Sequence, residues 1–341
     1  MSKPTRDAFG DWIVVRKVGQ GAAGQVWAVR RHGTNATLKA AFADSDPARR
    51  SLAREAFVLS RLKHPNIPRV LEWNVRTGIL VMTPAPSETY GDLLRSARLW
   101  DIPLSKRLSD LRAIAETLDT LHEQGIIHGD LKPAHITTAD PPVLIDFGVA
   151  RSADMPDPPE PDAGAAAYLP PPDIPLGPER DNYGFAITAY EILFGAHPIL
   201  RAKDRQIDPL ALRKRAGERL ASGDWRQPSR APIRELPPNL RAADLVGLDD
   251  LFTTAFTQFG DIGTTLTDWM LAVTMCIPET LESSAPDSLP KPFGAAYTAQ
   301  QVGALYDTDA GTGRAVSIPL WLITALILAS VVVILVLTRP N

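Results

Sequence analysis

Three residues in one short stretch of the sequence have the types and the spacing that phosphoryl transfer requires. Asp130 and Lys132 lie two positions apart, and Asp146 follows the short apolar run 143–145. The reaction needs an acceptor beside the attacking hydroxyl group, a cation beside the transferring phosphate and a carboxylate that binds a divalent metal ion. We therefore predict that Asp130 and Lys132 are catalytic and that Asp146 binds the metal.

A glycine-rich stretch near the N-terminus matches the pattern G-x-G-x-x-G-x-V. Gly19, Gly21 and Gly24 supply its glycines, and Val26 fills its last position. The Rossmann dinucleotide loop shares the core spacing but opens a helix, whereas strand-forming residues follow here. The pattern predicts a β-hairpin that closes over phosphates, although an ordinary structural turn explains the glycines equally well when they are taken alone.

The elements that position these residues change in type along the chain. Short runs of alternating apolar and polar residues within 11–81 are broken by glycines and predict a small antiparallel sheet. An apolar repeat at helical spacing predicts a helix over 47–62, and longer repeats predict helices over 104–122 and 182–194. The sequence thus predicts an α+β fold with a strand-rich lobe followed by a helix-rich lobe.

The motifs are similar to those of bacterial-type protein serine/threonine kinases over roughly residues 11–275. The resemblance implies a protein-kinase-like bilobal fold that binds ATP with Mg²⁺, or with Mn²⁺. Lys39 stands where such kinases carry the strand lysine that contacts the α- and β-phosphates, and Glu55 is its implied partner. The segment 80–85 resembles the hinge, so the carbonyl of Thr83 and the N–H of Ala85 are expected to hold adenine.

One position of the catalytic segment departs from the kinase pattern in a way that concerns the metal. His135 replaces the asparagine that holds a metal ion in H-R-D-L-K-x-x-N. Mg²⁺ prefers oxygen ligands, so an imidazole is a poor match. We predict His135 as a second metal-site residue beside Asp146, with a packing or hydrogen-bonding role as the alternative.

Other departures concern the activation segment, 146–172. Gly129 replaces the arginine of H-R-D, which predicts that no guanidinium is available to read a phosphate on this segment. The segment contains one serine, Ser152, and no threonine. Ala165 replaces the threonine that contacts the catalytic aspartate in kinases, and Pro172 replaces a glutamate. A phosphorylation switch of the usual kind is therefore not expected.

The C-terminal part of the sequence has a different composition. Residues 317–338 are predominantly apolar and uncharged, and about 20 such residues at a rise of about 1.5 Å each span a hydrocarbon core of about 30 Å. We predict a C-terminal transmembrane anchor there, with a buried core helix as the alternative. The domain organisation is then a kinase-like domain over 11–275 (lobes of about 11–84 and 85–275), a juxtamembrane linker over 276–316 and the membrane helix.

Composition excludes some classes of function. The net charge is −3 and no long Lys/Arg run occurs, so the composition gives no reason to expect nucleic acid as a partner. The single cysteine, Cys276, cannot form an internal disulfide, which agrees with a reducing compartment. No secretory signal is apparent within residues 1–11.

These observations predict a membrane-anchored, ATP-dependent serine/threonine kinase that faces the cytoplasm and acts on protein substrates there. Two alternatives stay open. One is a catalytically impaired pseudokinase that binds ATP or acts as a scaffold, and the other is a small-molecule kinase, in which H-G-D is common.

Overall fold

The computed structural model describes residues 9–278, apart from 22–23, 43–44, 86–87, 175, 202 and 205–206. Its first part is a five-stranded antiparallel sheet with the strand order β1-β2-β3-β5-β4. The bounds are β1 (Ile13–Gly21), β2 (Gly24–Arg31), β3 (Thr34–Ala40), β4 (Val70–Asn74) and β5 (Ile79–Met82).

One helix, α1 (Asp46–Leu59), lies between strands β3 and β4. It begins at Ser45, whose side chain accepts a hydrogen bond from the N–H of Ala48 and so satisfies one of the free donors of the first turn. The helix ends three residues before the predicted end at residue 62. Leu62 is buried in the segment after the helix, which explains why its spacing extended the predicted repeat.

The remaining elements are mostly helical. Helix α4 is almost entirely buried and forms the centre of the large lobe. The helices are α2 (Tyr90–Arg95), α3 (Leu104–Glu123), α4 (Pro178–Phe194), α5 (Pro209–Ala221), α6 (Leu245–Thr257) and α7 (Leu266–Met275), and the short strands are β6 (Ile126–Ile127) and β7 (Arg151–Ser152). Single 3₁₀ turns occur at Leu99–Asp101, Pro133–His135, Ala166–Tyr168, Pro228–Arg230, Ile233–Glu235 and Pro238–Leu240.

The C-terminal end of α4 shows why this helix stops where it does. Gly195 follows it in the left-handed region, with φ of 77°, and a side chain there would lie 2.9 Å from the ring of Trp100. The buried guanidinium of Arg107 donates to the carbonyl of Ile192, one of the last-turn carbonyls that lack a partner within the helix. Sequence and tertiary contacts therefore agree on the end of α4.

The predicted bilobal α+β architecture is confirmed. A sheet with helix α1 forms the small lobe, and helices α2 to α7 form the large lobe. The predicted linker after residue 278 and the predicted membrane helix over 317–338 lie outside the described residues. Within the part of the chain that the structure describes, no helix combines the length and the apolar character needed to cross a membrane.

Candidate active site

A partly buried cluster of ion pairs joins the two lobes. Lys39, on β3, donates to both carboxylate oxygens of Glu55 on α1, at 2.6 and 2.8 Å. Its Nζ also lies 3.1 Å from Oδ1 of Asp146, at the start of the activation segment. Residues 107 positions apart in the chain therefore meet at one ammonium group, as a kinase-like site requires.

The cluster keeps Lys39 and Asp146 charged, whereas burial raises the pKa of Glu55. Burial alone would lower the pKa of Lys39, but the charges of Asp146 and Glu55 outweigh it and raise the pKa. Burial alone would raise the pKa of Asp146, but Lys39 and His135 outweigh it and hold that pKa well below its usual range. At neutral pH the site therefore contains a lysine cation and an Asp146 carboxylate.

Asp146 has an unusual backbone conformation. Its φ is 70°, in the left-handed region that non-glycine residues rarely adopt. Residues in such conformations persist where surrounding contacts over-determine them, and they cluster at functional sites. Lys39 and His135 supply such contacts here, because each lies within 3.3 Å of one oxygen of the Asp146 carboxylate.

The predicted catalytic pair lies in the loop that follows β6. Nζ of Lys132 is 3.0 Å from Oδ2 of Asp130, and both residues are buried. Oδ1 of Asp130 accepts the N–H of Ala165 at 2.6 Å. Burial opposes the ionisation of Asp130, but the charges of Lys132 and His135, together with this N–H, hold its pKa below the usual value. Asp130 is therefore a carboxylate at neutral pH.

His135 connects the two aspartates. Its Nδ1 lies 2.8 Å from the carbonyl oxygen of Asp130, and because a carbonyl only accepts, Nδ1 carries a proton. Its Nε2 lies 3.3 Å from Oδ2 of Asp146. Because a carboxylate oxygen also only accepts, a hydrogen bond at this position needs a proton on Nε2, and metal binding at Nε2 would require loss of that proton. The side chain is therefore oriented for either of the two predicted roles.

Helix α4 fixes the backbone of the loop 128–135, which we call the catalytic loop, through one carboxylate. Asp181 accepts the N–H groups of His128 and Gly129, at 2.7 and 2.8 Å, and lies 3.1 Å from Nε2 of His122 on α3. Burial alone would raise the pKa of Asp181, but His122, His128 and the N–H of Gly129 lower it. An ionised, buried Asp181 therefore holds the residues immediately before Asp130.

The glycine-rich stretch forms the paired strands β1 and β2, with Gly21 opposite Gly24 and Gly19 opposite Val26. This is a β-hairpin arrangement rather than a strand-to-helix turn, as the sequence predicts. Gly24 has φ of 146°, and a side chain there would come within 2.0 Å of the carbonyl oxygen of Ala40. Only glycine fits this position without moving β3.

The hinge residues lie at the end of β5. The N–H of Thr83 donates to the carbonyl of Arg69, at 2.8 Å. The N–H of Ala85, expected to face adenine, donates instead to the hydroxyl of Thr37 on β3, at 3.2 Å. A nucleotide that uses the Ala85 donor must therefore displace this contact.

The sequence profile of the protein kinase domain matches residues 12–242, which is more than half of the chain. The chain belongs to the protein kinase family. It is 29% identical over 214 residues to the serine/threonine-protein kinase PknI of Mycobacterium tuberculosis, covering 59% of this chain and 35% of PknI.

Two other bacterial kinases show similar agreement. Serine/threonine-protein kinase PkaA of Streptomyces coelicolor is 33% identical over 223 residues, covering 57% of this chain and 40% of PkaA. PknF of Mycobacterium tuberculosis is 29% identical over 213 residues, covering 57% of this chain and 45% of PknF. The chain thus spans less than half the length of these relatives. The predicted resemblance to bacterial serine/threonine kinases is confirmed.

One departure of this kinase domain from the family pattern is compensated by another element. The sequence predicts that no guanidinium is available here to read a phosphate, and the structure places the guanidinium of Arg180 beside Gly129, bonded to main-chain carbonyls. Arg180, in the first turn of α4, donates through Nε to the carbonyl of Gly129, at 3.2 Å. Its two terminal nitrogens donate to the carbonyls of Pro161 and Ala163 in the activation segment.

Ala165 compensates for a second departure. An alanine has no side-chain hydroxyl with which to contact Asp130, but its main-chain N–H makes a hydrogen bond to that carboxylate. The side chain alone therefore does not show that position 165 contributes a hydrogen bond to Asp130. The signal that sequence reasoning could have used is weak, because any residue except proline offers the same N–H.

Sequence reasoning also missed Arg180, His122 and Thr37. Arg180 stands directly before Asp181, and His122 lies in the last turn of α3, so each was near a residue already singled out. Thr37 lies two positions before Lys39, on the same face of the strand. Proximity to a recognised motif was the only available indication for these three residues.

Proposed function

We propose that the protein transfers the γ-phosphate of ATP to serine or threonine hydroxyls of protein substrates. The observation that carries this proposal is the contact of Lys39 with both Glu55 and Asp146. Glu55 fixes the ammonium group from one side, so the ammonium can contact the phosphates of a nucleotide near Asp146. Serine/threonine specificity is supported by the names of the bacterial relatives.

In this proposal Asp130 orients the substrate hydroxyl and accepts its proton as the phosphate transfers. A carboxylate with a lowered pKa is a weak base, so its larger contribution is orientation rather than early deprotonation. Lys132, 3.0 Å from Asp130, places a positive charge where the transferring phosphate approaches the hydroxyl. Both groups are buried, which strengthens their electrostatic effect.

The donor atoms near Asp146 fit a divalent metal ion that binds together with ATP. Asp146 and His135, with Nε2 of His135 3.3 Å from Oδ2 of Asp146, would be its protein ligands. Mg²⁺ commonly binds through one or two carboxylates, with phosphates and water completing the shell. When bound, the ion would offset negative charge on the phosphates. Mn²⁺ accepts nitrogen ligands more readily than Mg²⁺, so both ions are to be compared.

The glycine hairpin and the hinge would hold the rest of the nucleotide. Gly19, Gly21 and Gly24, followed by Val26, would cover the phosphates with main-chain groups. The carbonyl of Thr83 and the N–H of Ala85 would contact adenine, the latter after release of Thr37.

The hydrogen bond between the Ala85 N–H and the Thr37 hydroxyl is expected to weaken nucleotide binding. Replacing Thr37 with valine keeps the shape of the side chain but removes the acceptor for the Ala85 N–H. A neutral hydrogen bond contributes about 0.5–1.5 kcal/mol, so we expect ATP to bind about 2- to 12-fold more tightly to Thr37→Val. Isothermal titration calorimetry measures this change.

Thr34→Val, at an exposed position of the same strand, is the matched control for that measurement and is expected to leave the affinity unchanged. Equal or weaker ATP binding by Thr37→Val than by the wild-type protein would contradict a competing role for the Thr37 hydroxyl.

The domain boundaries and the membrane anchor form part of the same proposal. The kinase domain would occupy 11–275, the linker 276–316 and a membrane helix 317–338, with the kinase domain facing the cytoplasm, where ATP and its protein substrates are present. The absence of any charged residue from 317–338 supports the anchor. Membrane association of this chain would place its protein substrates near the bilayer.

A phosphate-transfer assay on the full-length chain in detergent tests the proposed function. Labelled ATP is supplied with Mg²⁺ or Mn²⁺ and with casein as a generic acceptor. We expect label on serine or threonine, and a loss of at least about 100-fold in Lys39→Met, because a preorganised cation on the phosphates is removed. Lys63→Met, at an exposed position, is the matched control.

The outcomes separate the three predicted functions. Transfer to protein that Lys39→Met abolishes supports the kinase proposal. ATP binding without transfer by the wild-type protein identifies a pseudokinase. Transfer to aminoglycosides or sugars but not to protein identifies a small-molecule kinase.

A further inference from the structure

The guanidinium of Arg180 is buried where the catalytic loop meets the activation segment. The residue is 3% exposed, and its three donors contact main-chain carbonyls of Gly129, Pro161 and Ala163. Burial lowers the pKa of Arg180 to about 10, which leaves the group charged at neutral pH. A buried charge costs free energy unless it is hydrogen-bonded, so moving these carbonyls away from the guanidinium would be unfavourable.

Two glycines lie where the catalytic loop and the activation segment meet beside this guanidinium. Gly129 has φ of 82° and Gly164 has φ of 118°, both in the region that favours glycine. A side chain at Gly164 would come within 2.8 Å of the Gly129 carbonyl and 3.2 Å of a terminal nitrogen of Arg180. The activation segment therefore passes against the catalytic loop with no space for a side chain between them.

The next residue of the segment contacts the proposed catalytic carboxylate. Ala163 accepts from Arg180, and two residues later the N–H of Ala165 donates to Oδ1 of Asp130 at 2.6 Å. Fixing the carbonyl of Ala163 therefore also fixes the donor at Ala165. We propose that Arg180 is a positioning residue that holds the activation segment against Asp130 in the active arrangement without phosphorylation, an inference that rests on the proposed kinase function.

Because Arg180 binds main-chain carbonyls, its hold on the activation segment does not depend on a modification. A phosphate can be added and removed, whereas main-chain carbonyls are always present. The segment 146–172 has Ser152 as its only serine and has no threonine. Its single tyrosine, Tyr168, is buried and donates to Glu191 at 2.8 Å. Tyr168 therefore already has a structural role.

Two further arginines use the same type of contact along the segment. Arg54, on α1, donates to the carbonyl of Gly148 at 3.1 Å. Arg213, on α5, donates to the carbonyl of Pro170 at 2.7 Å. Arg180 lies between them along the segment and is the one of the three whose acceptors include the catalytic loop.

The test compares Arg180→Lys with the wild-type full-length chain in the casein assay. A lysine cannot reach three carbonyls with a planar fork, so we expect kcat to fall about 10- to 100-fold through misplacement of Asp130 and the segment. The Kd for ATP is expected to stay unchanged, because the hydrogen bonds of Arg180 are to the catalytic loop and the activation segment. Arg112→Lys, at an exposed position of α3, is the matched control.

Hydrogen–deuterium exchange provides a readout that does not depend on activity. We expect Arg180→Lys to speed exchange of the amides at 163–167, with exchange in β1 to β5 unchanged. Gly164→Ala, which keeps the Arg180 guanidinium but forces the segment away from the Gly129 carbonyl, is the second variant and is expected to give the same pattern. Phosphatase treatment of the wild-type protein is expected to leave its transfer rate unchanged.

Three results would overturn the proposal. The first is unchanged exchange at 163–167 in both variants. The second is an equal loss of kcat and of ATP affinity, which would indicate a general structural defect. The third is wild-type transfer that disappears after phosphatase treatment. If the wild-type chain transfers no phosphate at all, the proposed function fails, whereas the exchange measurement still decides whether Arg180 holds the segment.

Discussion

Asp130→Asn is expected to lower kcat about 10²- to 10⁴-fold, the usual contribution of a positioned acid–base group. Asparagine has the same shape and keeps an oxygen that can accept the Ala165 N–H. It loses the charge that pairs with Lys132 and attracts the proton of the substrate hydroxyl. The casein assay at saturating ATP measures kcat.

The affinity for ATP is expected to change by less than about twofold in Asp130→Asn, because Asp130 interacts with the acceptor hydroxyl and not with the nucleotide in this mechanism. Asp250→Asn, at an exposed position of α6, is the matched control. If Asp130→Asn retained nearly wild-type transfer while Lys39→Met lost it, another group would have to orient the hydroxyl.

The residues that carry chemistry could be predicted because their motifs are local in sequence. Asp130, Lys132 and His135 fall within six consecutive residues, so one short pattern places all three in a single loop. Lys39 and Asp146 are far apart in the chain, but each follows a recognisable strand pattern, and their separation of 3.1 Å agrees with the kinase resemblance. The roles of these residues stay predictions until the transfer assay is done.

The contacts that the sequence did not predict depend on how separate segments cross. Arg180 reaches Gly129, 51 positions earlier, and Thr37 reaches Ala85, 48 positions later. Neither contact follows from helical or strand periodicity, because periodicity describes which face a residue occupies and not which loop passes over that face. An arginine on the buried side of α4 has a weak sequence signal, since it resembles any charged residue of a first turn.

The arginine that Gly129 replaces is a second case in which the sequence pattern does not show a spatial contact. Pattern matching registers Gly129 as the absence of a guanidinium. The folded chain places one at that point from helix α4, and a side chain at Gly129 would come within 3.0 Å of the carbonyl oxygen of Val149 in the activation segment. The effect of a substitution in a sequence motif therefore depends on which residues lie beside it in the folded chain.

Glu55→Gln is expected to give the largest combined effect on stability and activity. Glu55 is 2% exposed and accepts two hydrogen bonds from Lys39, so the change removes one charge of a buried pair. Breaking such a pair costs about 3–5 kcal/mol when the other charge is left uncompensated. Asp146 remains within 3.1 Å of Lys39, so we expect the free energy of unfolding to fall toward the lower end of that range.

The same remaining contact explains the expected loss of activity. Without Glu55, the ammonium of Lys39 has Asp146 as its nearest anionic partner among the described contacts, and a tighter pair would reduce the negative charge that Asp146 offers to a metal ion. We therefore expect phosphate transfer to fall by about 100-fold and Mn²⁺ binding in the presence of ADP to weaken as well. Urea unfolding, the casein assay and Mn²⁺ electron paramagnetic resonance measure the three effects.

Glu116→Gln, at an exposed position of α3, is the matched control and is expected to leave all three quantities unchanged. The decisive comparison is between metal binding and stability in Glu55→Gln. Weaker Mn²⁺ binding by a protein that is still folded supports competition between Lys39 and the metal for Asp146. Reduced stability with unchanged Mn²⁺ binding would instead mean that Glu55 orients Lys39 without controlling the charge available at Asp146.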